Sequence, residues 1–181
     1  MHGIQQRLAN ELRARKQKGL LRLLRPSITG IDFCSNDYLG FACNPLLSDR
    51  LAALVKSAPN SVLGAKGSRL ISGDMPAILR AEEFIAEKHG VQNAMLMPSG
   101  YLANQALFSS LPKRGDTILL DERVHRSVYD GCRLSHATRW KFRHNDLQHL
   151  QELLKRCHGQ VWIGVESLYS MDGDFAPLAP L

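Results

Sequence analysis

The sequence predicts an α/β protein with a mostly parallel sheet flanked by helices. From residue 94 onward, short apolar runs alternate with segments of helical periodicity, which is the order of repeated β-α-β units. Each unit crosses over with a right-handed sense, so the strands run parallel and helices cover both faces. The chain has 181 residues, enough for a domain with a buried core.

Composition narrows the class of protein further. The chain is 44% hydrophobic and 22% charged, with 14 Gly and 8 Pro, which argues against a disordered or collagen-like chain. No apolar run approaches the roughly 18 residues of a membrane span, and the N-terminus lacks a signal-peptide stretch. The four cysteines form no C-x-x-C pair, so we expect them to be reduced thiols and not disulfides. We expect a soluble, cytoplasmic protein that binds no membrane.

The positive charge is concentrated at the N-terminus. Residues 1–25 hold seven basic residues and one acidic residue, which accounts for the whole formal net charge of +6. No nucleic-acid-reading motif accompanies them, so we expect no nucleic-acid partner. A leucine stripe predicts a packed helix with an anion-facing side in this segment. The stripe consists of Leu8, Leu12, Leu20, Leu23 and Leu24.

In the first half of the chain, prolines and glycines that begin or end helices predict the secondary-structure elements. Proline suits a first helical turn and glycine suits the residue after a helix. The expected elements are a break at 26–30, a short strand at 31–33, a helix over 45–57 opened by Pro45, a glycine-containing loop at 59–74, and a helix from Pro76 that ends at Gly90.

In the second half, buried strands alternate with helices. The predicted strands are 94–97, 117–121, 138–142 and 161–165. The predicted helices are 100–111, 124–135 and one that begins at Asn145 or Asp146 and ends at Gly159.

Ser99, Gly100 and Tyr101 are the best local candidates for ligand binding. They join a predicted strand to a helix start, where free N–H groups and the helix dipole favour an anion such as phosphate. An ordinary strand–helix turn explains the pattern equally well. His125 also follows a strand, and its imidazole could stack on a flat cofactor or transfer protons.

Other polar residues are ambiguous by themselves. Asn36 lies in a tight turn, where asparagine binds a ligand or its own backbone. Ser170 and Glu166 share the last loop, with the same two explanations. A loose Cys/His region meets no zinc spacing, so we expect no metal site. Its members are His136, His144, His149, Cys157 and His158.

Five motifs occur together in the order of one family. They are SNDYLG at 35–40, GSR at 67–69 with SG at 72–73, SGYLANQ at 99–105, FRHND at 142–146 and SMDGD at 170–174. Together they resemble the pyridoxal-phosphate-dependent α-oxoamine synthases, of aminotransferase-like fold type I. The resemblance implies that 1–60 form a helical segment and the start of a small domain, and 61–181 an incomplete portion of the cofactor-binding large domain.

The resemblance also implies roles for individual residues. Gly100 and Tyr101 would hold the phosphate of pyridoxal 5'-phosphate by backbone N–H groups, and His125 would stack on its ring and help to position the substrate. Ser170 would contact cofactor or substrate. Asn36 would hold the amino-acid carboxylate, and Arg22 would meet the acyl substrate.

The motifs look most like the biotin-pathway branch of this family. That branch implies a decarboxylating condensation of L-alanine with a pimeloyl thioester, carried by coenzyme A or by an acyl carrier protein, in a homodimeric enzyme. Branches that form 5-aminolevulinate or 2-amino-3-ketobutyrate remain alternatives, as does a non-catalytic truncated product. The family's Schiff-base lysine lies beyond the last motif found here, so we expect a large domain truncated before its end and no turnover by residues 1–181 alone.

Overall fold

The computed structural model describes residues 2–24, 30–57 and 64–179. The chain forms two compact units, residues 1–63 and residues 64–181. The predicted break before residue 30 and residues 59–63 of the predicted loop lie outside the described residues. No helix in the described stretches is long and apolar enough to cross a bilayer.

The first unit contains two helices and a short turn. Helix α1 spans His2–Gln17, a 3-10 turn spans Phe41–Cys43, and α2 spans Pro45–Ser57 as predicted. The predicted leucine-striped helix is too long, because Gly19 adopts a left-handed φ of 66° and the chain leaves the helix there. Leu8 and Leu12 remain about half exposed (49% and 54%), so the predicted apolar stripe is not buried.

The second unit holds the remaining regular structure. Its helices are α3 (Pro76–His89), α4 (Gly100–Ser110), α5 (Arg126–Leu134) and α6 (Leu147–Leu154). Its strands are β1 (Thr117–Asp121), β2 (Thr138–Phe142) and β3 (Val161–Gly164). A single turn of π-helix spans Arg69–Gly73 within the predicted loop.

The sheet is parallel, as the sequence predicts. Strand β1 lies in the middle in the order β2-β1-β3, with Thr117 opposite Thr138 on one side and Val161 on the other. Every residue of β1 is buried. Because side chains alternate along a strand, Ile118 and Leu120 pack with α5 while Leu119 packs with α6. Helices therefore cover both faces of the central strand.

Two predicted strands are wrong. Residues 31–33 and 94–97 are not strands, and Phe33 (89%) and Met95 (72%) are largely exposed. A strand needs a neighbour to satisfy its backbone N–H and C=O groups, and the described residues offer neither segment one. The backbone N–H of Leu96 instead donates to the carboxylate of Glu82 at 2.7 Å.

Three predicted helix boundaries depend on a single glycine or capping residue. Gly90 follows α3 in the left-handed conformation, as predicted. Asp146, rather than Asn145, caps α6 by accepting from the N–H of His149 at 2.8 Å. Gly159 does not end α6, which stops at Leu154. Its φ of 67° serves the turn into β3.

Gly159→Ala is expected to destabilise the protein more than Gly173→Ala. Both glycines have a left-handed φ, 67° and 74°, where a side chain costs about 1–2 kcal/mol. A Cβ at Gly159 would also lie 2.3 Å from the carbonyl oxygen of Gly115, whereas a Cβ at Gly173 would meet nothing within 4 Å. The forced shift should cost about 1–3 kcal/mol more. Urea denaturation of the complete protein measures both, and equal losses would contradict the close approach.

Candidate active site

The candidate site lies at the carboxyl edge of the sheet. His125 follows β1 as the N-cap of α5, and Glu166 follows β3. The two are joined because the backbone N–H of His125 donates to the Glu166 carboxylate. Open α/β sheets carry their ligand sites at this edge, where loops from neighbouring strands converge. The sequence left open whether Glu166 binds a ligand or only its own backbone; in the structure its carboxylate holds the backbone of His125.

The imidazole of His125 is fixed by a chain of hydrogen bonds. Asn104 Nδ2 donates to Ser127 Oγ at 2.9 Å, and Ser127 Oγ lies 2.7 Å from His125 Nδ1. The backbone N–H of Ser127 also donates to this nitrogen at 3.2 Å. Because Nδ1 accepts, the neutral ring carries its proton on Nε2. Asn104 and Ser127 escaped the sequence analysis, although Asn104 stands within the SGYLANQ motif.

Tyr101 lies beside this ring. The two ring centroids are 5.9 Å apart at an interplanar angle of 82°, an edge-to-face contact. The Tyr101 hydroxyl donates to Asp130, whose other oxygen pairs with Arg126 Nε at 3.0 Å. The hydrogen bond to Asp130 raises the pKa of Tyr101, and the same bond lowers the pKa of Asp130. The side chain of Tyr101 is thus tied to α5 through its hydroxyl.

The start of α4 provides unused donors. Ser99 caps the helix, with its Oγ accepting from the N–H of Leu102 at 3.2 Å. Within the described part of the chain, the N–H groups of Gly100 and Tyr101 have no hydrogen-bond partner. A Cβ at Gly100 would meet nothing within 4 Å, so the backbone is open to approach. Two free donors at the positive end of a helix fit a phosphate group.

The other predicted site residues are not joined to this cluster by a described contact. Ser170 is exposed in a turn of the loop after β3. Arg22 and Asn36 belong to the first unit, where both are exposed. Asp37 beside Asn36 caps the 3-10 turn by accepting from the N–H of Phe41 at 2.8 Å.

The glycine-containing motif at 67–73 has a packing explanation. Arg69 donates two hydrogen bonds to the carboxylate of Glu82 on α3, at 2.6 and 2.8 Å. This pairing lowers the pKa of Glu82 to about 2. Gly73 approaches so closely that a Cβ would lie 1.8 Å from the Gly67 carbonyl oxygen. The absence of a side chain at Gly73 therefore permits the turn that Arg69 fastens.

The Cys/His region supplies a hydrogen-bonded network. The ring of His144 lies between two carboxylates, with Nδ1 2.9 Å from Asp121 Oδ1 and Nε2 2.8 Å from Asp174 Oδ2. His149 Nδ1 accepts from the N–H of Arg143 at 3.0 Å. Among the described residues, no group of three or more His, Cys, Asp or Glu side chains is arranged for a metal ion.

A cationic cavity of about 400 Å³ opens between α5 and β2. Its floor includes Leu120 and Cys132, and burial raises the pKa of the Cys132 thiol to about 11. Its four charged lining residues are all basic: Arg126, Arg133, Arg139 and Lys141. One of its lining residues, Arg126, directly follows His125 in the chain.

The fold and the site define an α/β protein with a fixed imidazole next to an open helix N-terminus. The aminotransferase class I and II family model matches residues 28–181, and the chain belongs to that family. The predicted fold class and the family resemblance are thereby confirmed.

Known relatives carry a more specific name. An 8-amino-7-oxononanoate synthase of Chromobacterium violaceum is 45% identical over 152 residues, covering 83% of this chain and 39% of the relative. One of Marinobacter nauticus is 36% identical over 185 residues, covering 96% and 46%. The chain thus spans less than half the length of these relatives.

Solved structures agree on the fold. A serine palmitoyltransferase of Sphingomonas wittichii superposes with a TM-score of 0.78 and 29% identity, over 94% of this chain and 46% of that one. The 8-amino-7-oxononanoate synthase of Francisella tularensis gives 0.68 and 26%, over 84% and 41%. A serine palmitoyltransferase of S. paucimobilis (0.78, 26%, over 95% and 46%) holds bound pyridoxal phosphate, the cofactor that the sequence predicts.

Ser127→Ala is expected to release the His125 ring. The substitution removes the hydroxyl 2.7 Å from Nδ1 and leaves only the longer backbone N–H bond at 3.2 Å, so the preference for the Nε2–H form should weaken and the other tautomer should become populated. The measurement is the pair of imidazole ¹⁵N chemical shifts of His125 in the complete protein. Ser110→Ala is the control, because its hydroxyl bonds within α4 to the Ala106 carbonyl. Unchanged shifts in Ser127→Ala would contradict the hydrogen-bond chain.

Proposed function

We propose that the complete enzyme containing this chain condenses L-alanine with a pimeloyl thioester to form 8-amino-7-oxononanoate in biotin biosynthesis. The observation that carries the proposal is the pair of free N–H groups at Gly100 and Tyr101, next to the fixed ring of His125. This arrangement fits a flat cofactor with a phosphate. The names of the most similar relatives support the reaction. We further propose that the enzyme is a cytoplasmic homodimer.

Each site residue takes one task in this proposal. Gly100 and Tyr101 bind the phosphate of pyridoxal phosphate through their N–H groups, and His125 stacks on its ring and helps to position the substrate. Ser170 contacts cofactor or substrate. Bound pyridoxal phosphate would supply an electron-accepting ring that stabilises negative charge on the amino-acid α-carbon. The Nε2–H of His125 is the ring donor left free by the bonds at Nδ1.

The substrates are held through their carboxylate groups. Asn36 binds the carboxylate of L-alanine, and Arg22 meets the far carboxylate of the pimeloyl chain, a charge-assisted contact. The α-carbon of alanine loses its proton and forms a bond to the thioester carbonyl carbon, while the C–S bond breaks and the thiol leaves with a proton. The alanine carboxylate then departs as CO₂, and a proton returns to the α-carbon. The protein contributes placement and charge stabilisation.

The cationic cavity favours a phosphate-bearing acyl carrier, such as coenzyme A, as the carrier of the pimeloyl group. Its basic residues converge from α5 and β2 with no carboxylate among the lining residues. Lys141 Nζ lies 4.3 Å from the centre of the Tyr129 ring. Among the described residues, the buried Tyr129 hydroxyl has no hydrogen-bond partner and is a further donor. Guanidinium and ammonium groups bind phosphate by charge-assisted hydrogen bonds.

The proposed function is tested with the complete purified enzyme. Loaded with pyridoxal phosphate, it should release CO₂ and free thiol from L-alanine and pimeloyl-coenzyme A in equal amounts. Glycine with succinyl- or acetyl-coenzyme A is the comparison, because these pairs define the 5-aminolevulinate and 2-amino-3-ketobutyrate branches. A higher kcat/KM with either pair would replace the proposed substrates, and no condensation with any pair would overturn the function.

Residues 1–181 alone are expected to give no turnover in the same assay. The family resemblance implies that the Schiff-base lysine belongs to a motif later than those found in residues 1–181. A lysine amine is also the expected base for the α-proton. Pyridoxal phosphate titration followed by borohydride reduction measures this directly. Weak binding without a trapped adduct is the expected result. A stoichiometric lysine adduct would show that one of this chain's own lysines substitutes.

Arg139→Ala combined with Lys141→Ala is expected to raise the KM for pimeloyl-coenzyme A by about tenfold or more, since each charged hydrogen bond contributes that much. The KM for alanine should stay unchanged, because the cavity would bind only the carrier. Lys155→Ala is the matched control, a lysine at the end of α6 outside the cavity lining. An unchanged KM for the thioester would remove the cavity from the proposal.

A further inference from the structure

His144 connects three parts of the second unit. Its ring lies between Asp121 at the end of β1 and Asp174 in the loop after β3, and His144 itself begins the turn from β2 to α6. The ring also packs edge-to-face on Tyr169 of the same loop, with centroids 4.5 Å apart. The side chain is only 12% exposed. These contacts give one imidazole partners from each strand end of the sheet.

The geometry determines the protonation of the ring. Carboxylate oxygens only accept hydrogen bonds, so a ring with a carboxylate at each nitrogen bonds to both by donating from both nitrogens. Such a ring is an imidazolium with two charge-assisted bonds. Burial lowers the pKa of His144, but hydrogen bonds to Asp121 and Asp174 raise it more, so it lies above the ordinary value. The His144 bond lowers the pKa of Asp174.

The loop held by this ring reaches the candidate site. The N–H of Tyr169 donates to the carbonyl of Asp174 at 2.9 Å, and the N–H of Gly173 donates back to Tyr169 at 2.8 Å, which closes a tight loop around Ser170. Glu166 stands three residues before Tyr169 and accepts from the backbone N–H of His125. Displacing the loop would therefore displace Ser170, a predicted site residue, and Glu166, which holds the His125 backbone.

We infer that His144 is a positioning residue whose doubly protonated ring, clamped between Asp121 and Asp174, holds the 166–174 loop against the candidate site. The inference rests on the proposed function for its catalytic consequence, since Ser170 and Glu166 matter only if that site binds cofactor and substrate. The clamp itself depends only on contacts among described residues. It makes the loop sensitive to pH, while the strands and helices stay fixed.

The sign of the pH effect follows from the charges around the ring. The groups that face it are Asp121 and Glu122 at the end of β1, and Tyr169 and Asp174 in the loop, with Arg123 paired to Asp172 beyond them. Burial raises the pKa of Tyr169 to about 12, so its phenol stays neutral. Because the folded pKa of His144 is raised, the clamp is complete below the unfolded pKa of about 6.5 and is lost as pH rises through the higher folded value.

Hydrogen exchange of the complete protein without cofactor tests the clamp. His144→Gln keeps a donor for one carboxylate only, so protection of the Tyr169 and Gly173 amides should fall about tenfold or more. Protection of β1 amides, such as Leu119, should not change. In the unmodified protein, loop protection should fall as pH rises past the titration of His144, and in His144→Gln this dependence should disappear. A packing defect would lower protection at every pH and leave the dependence in place.

The control and the opposing outcomes are separable. His136→Gln removes an exposed histidine of the same unit and should change neither loop nor strand. If His144→Gln fails to fold, Asp174→Asn serves instead, because it keeps an acceptor but removes one charge and should lower loop protection at low pH. Unchanged loop protection, or a pH dependence that survives the substitution, would overturn the inference. Exchange needs no catalysis, so a failed condensation assay would reject the proposed function and leave the clamp standing.

Discussion

The buried carboxylate of Asp121 is the constraint on which the candidate site depends. It stands at the end of the central strand with 0% exposure, where an unpaired charge would be costly. Its oxygens accept from the N–H groups of Arg123 at 2.8 Å and Asn145 at 2.9 Å, in addition to the ring of His144. One carboxylate thereby fixes the first residues after β1 and the first residues after β2. The connections after β1 and β2 are therefore tied directly to the end of the central strand.

The parallel sheet explains why such a residue is useful. Parallel strands all end at one edge, so the connections after β1, β2 and β3 meet there without any help from sequence proximity. The chain must still choose one arrangement of these loops. Charge-assisted bonds from His144 and the capping bond from His125 to Glu166 select it, because their donors and acceptors come from different strand ends.

Local signals predicted the fold well where an element is determined by its own residues. The alternation of short apolar runs with segments of helical periodicity identified β1, β2 and β3, and Pro76, Gly90 and Asp146 marked helix ends through backbone chemistry. The same reasoning failed at 31–33 and 94–97 because a strand also needs a neighbour, and apolar composition does not supply one. The leucine stripe failed at Gly19, where one left-handed residue outweighed the periodicity.

The contacts of the candidate site also fall into those that local sequence could predict and those that it could not. The free N–H groups of Gly100 and Tyr101 were predictable, because a helix start leaves its first N–H groups unpaired whether or not a strand precedes it. The position of His125 just after β1 was predictable from the strand itself, and its role stays a prediction. Asn104, Ser127 and the His144 clamp were not, since their contacts join residues more than twenty positions apart. Sequence motifs placed His144 and Asp174 among residues that occur together, but only the packed sheet shows that they touch.

The two supports of His125 respond differently to pH. Its ring is held by Ser127 and Asn104, whose side chains do not ionise, and Ser127 is completely buried between α4 and α5. Its backbone N–H is held by Glu166, whose loop depends on an ionised histidine. Neither Ser127 nor Asn104 changes charge as pH rises, whereas the loop opposite the ring loosens. The pH-dependent contacts of the candidate site are therefore concentrated on the 166–174 loop, whereas the side chains that hold the imidazole carry no charge to lose.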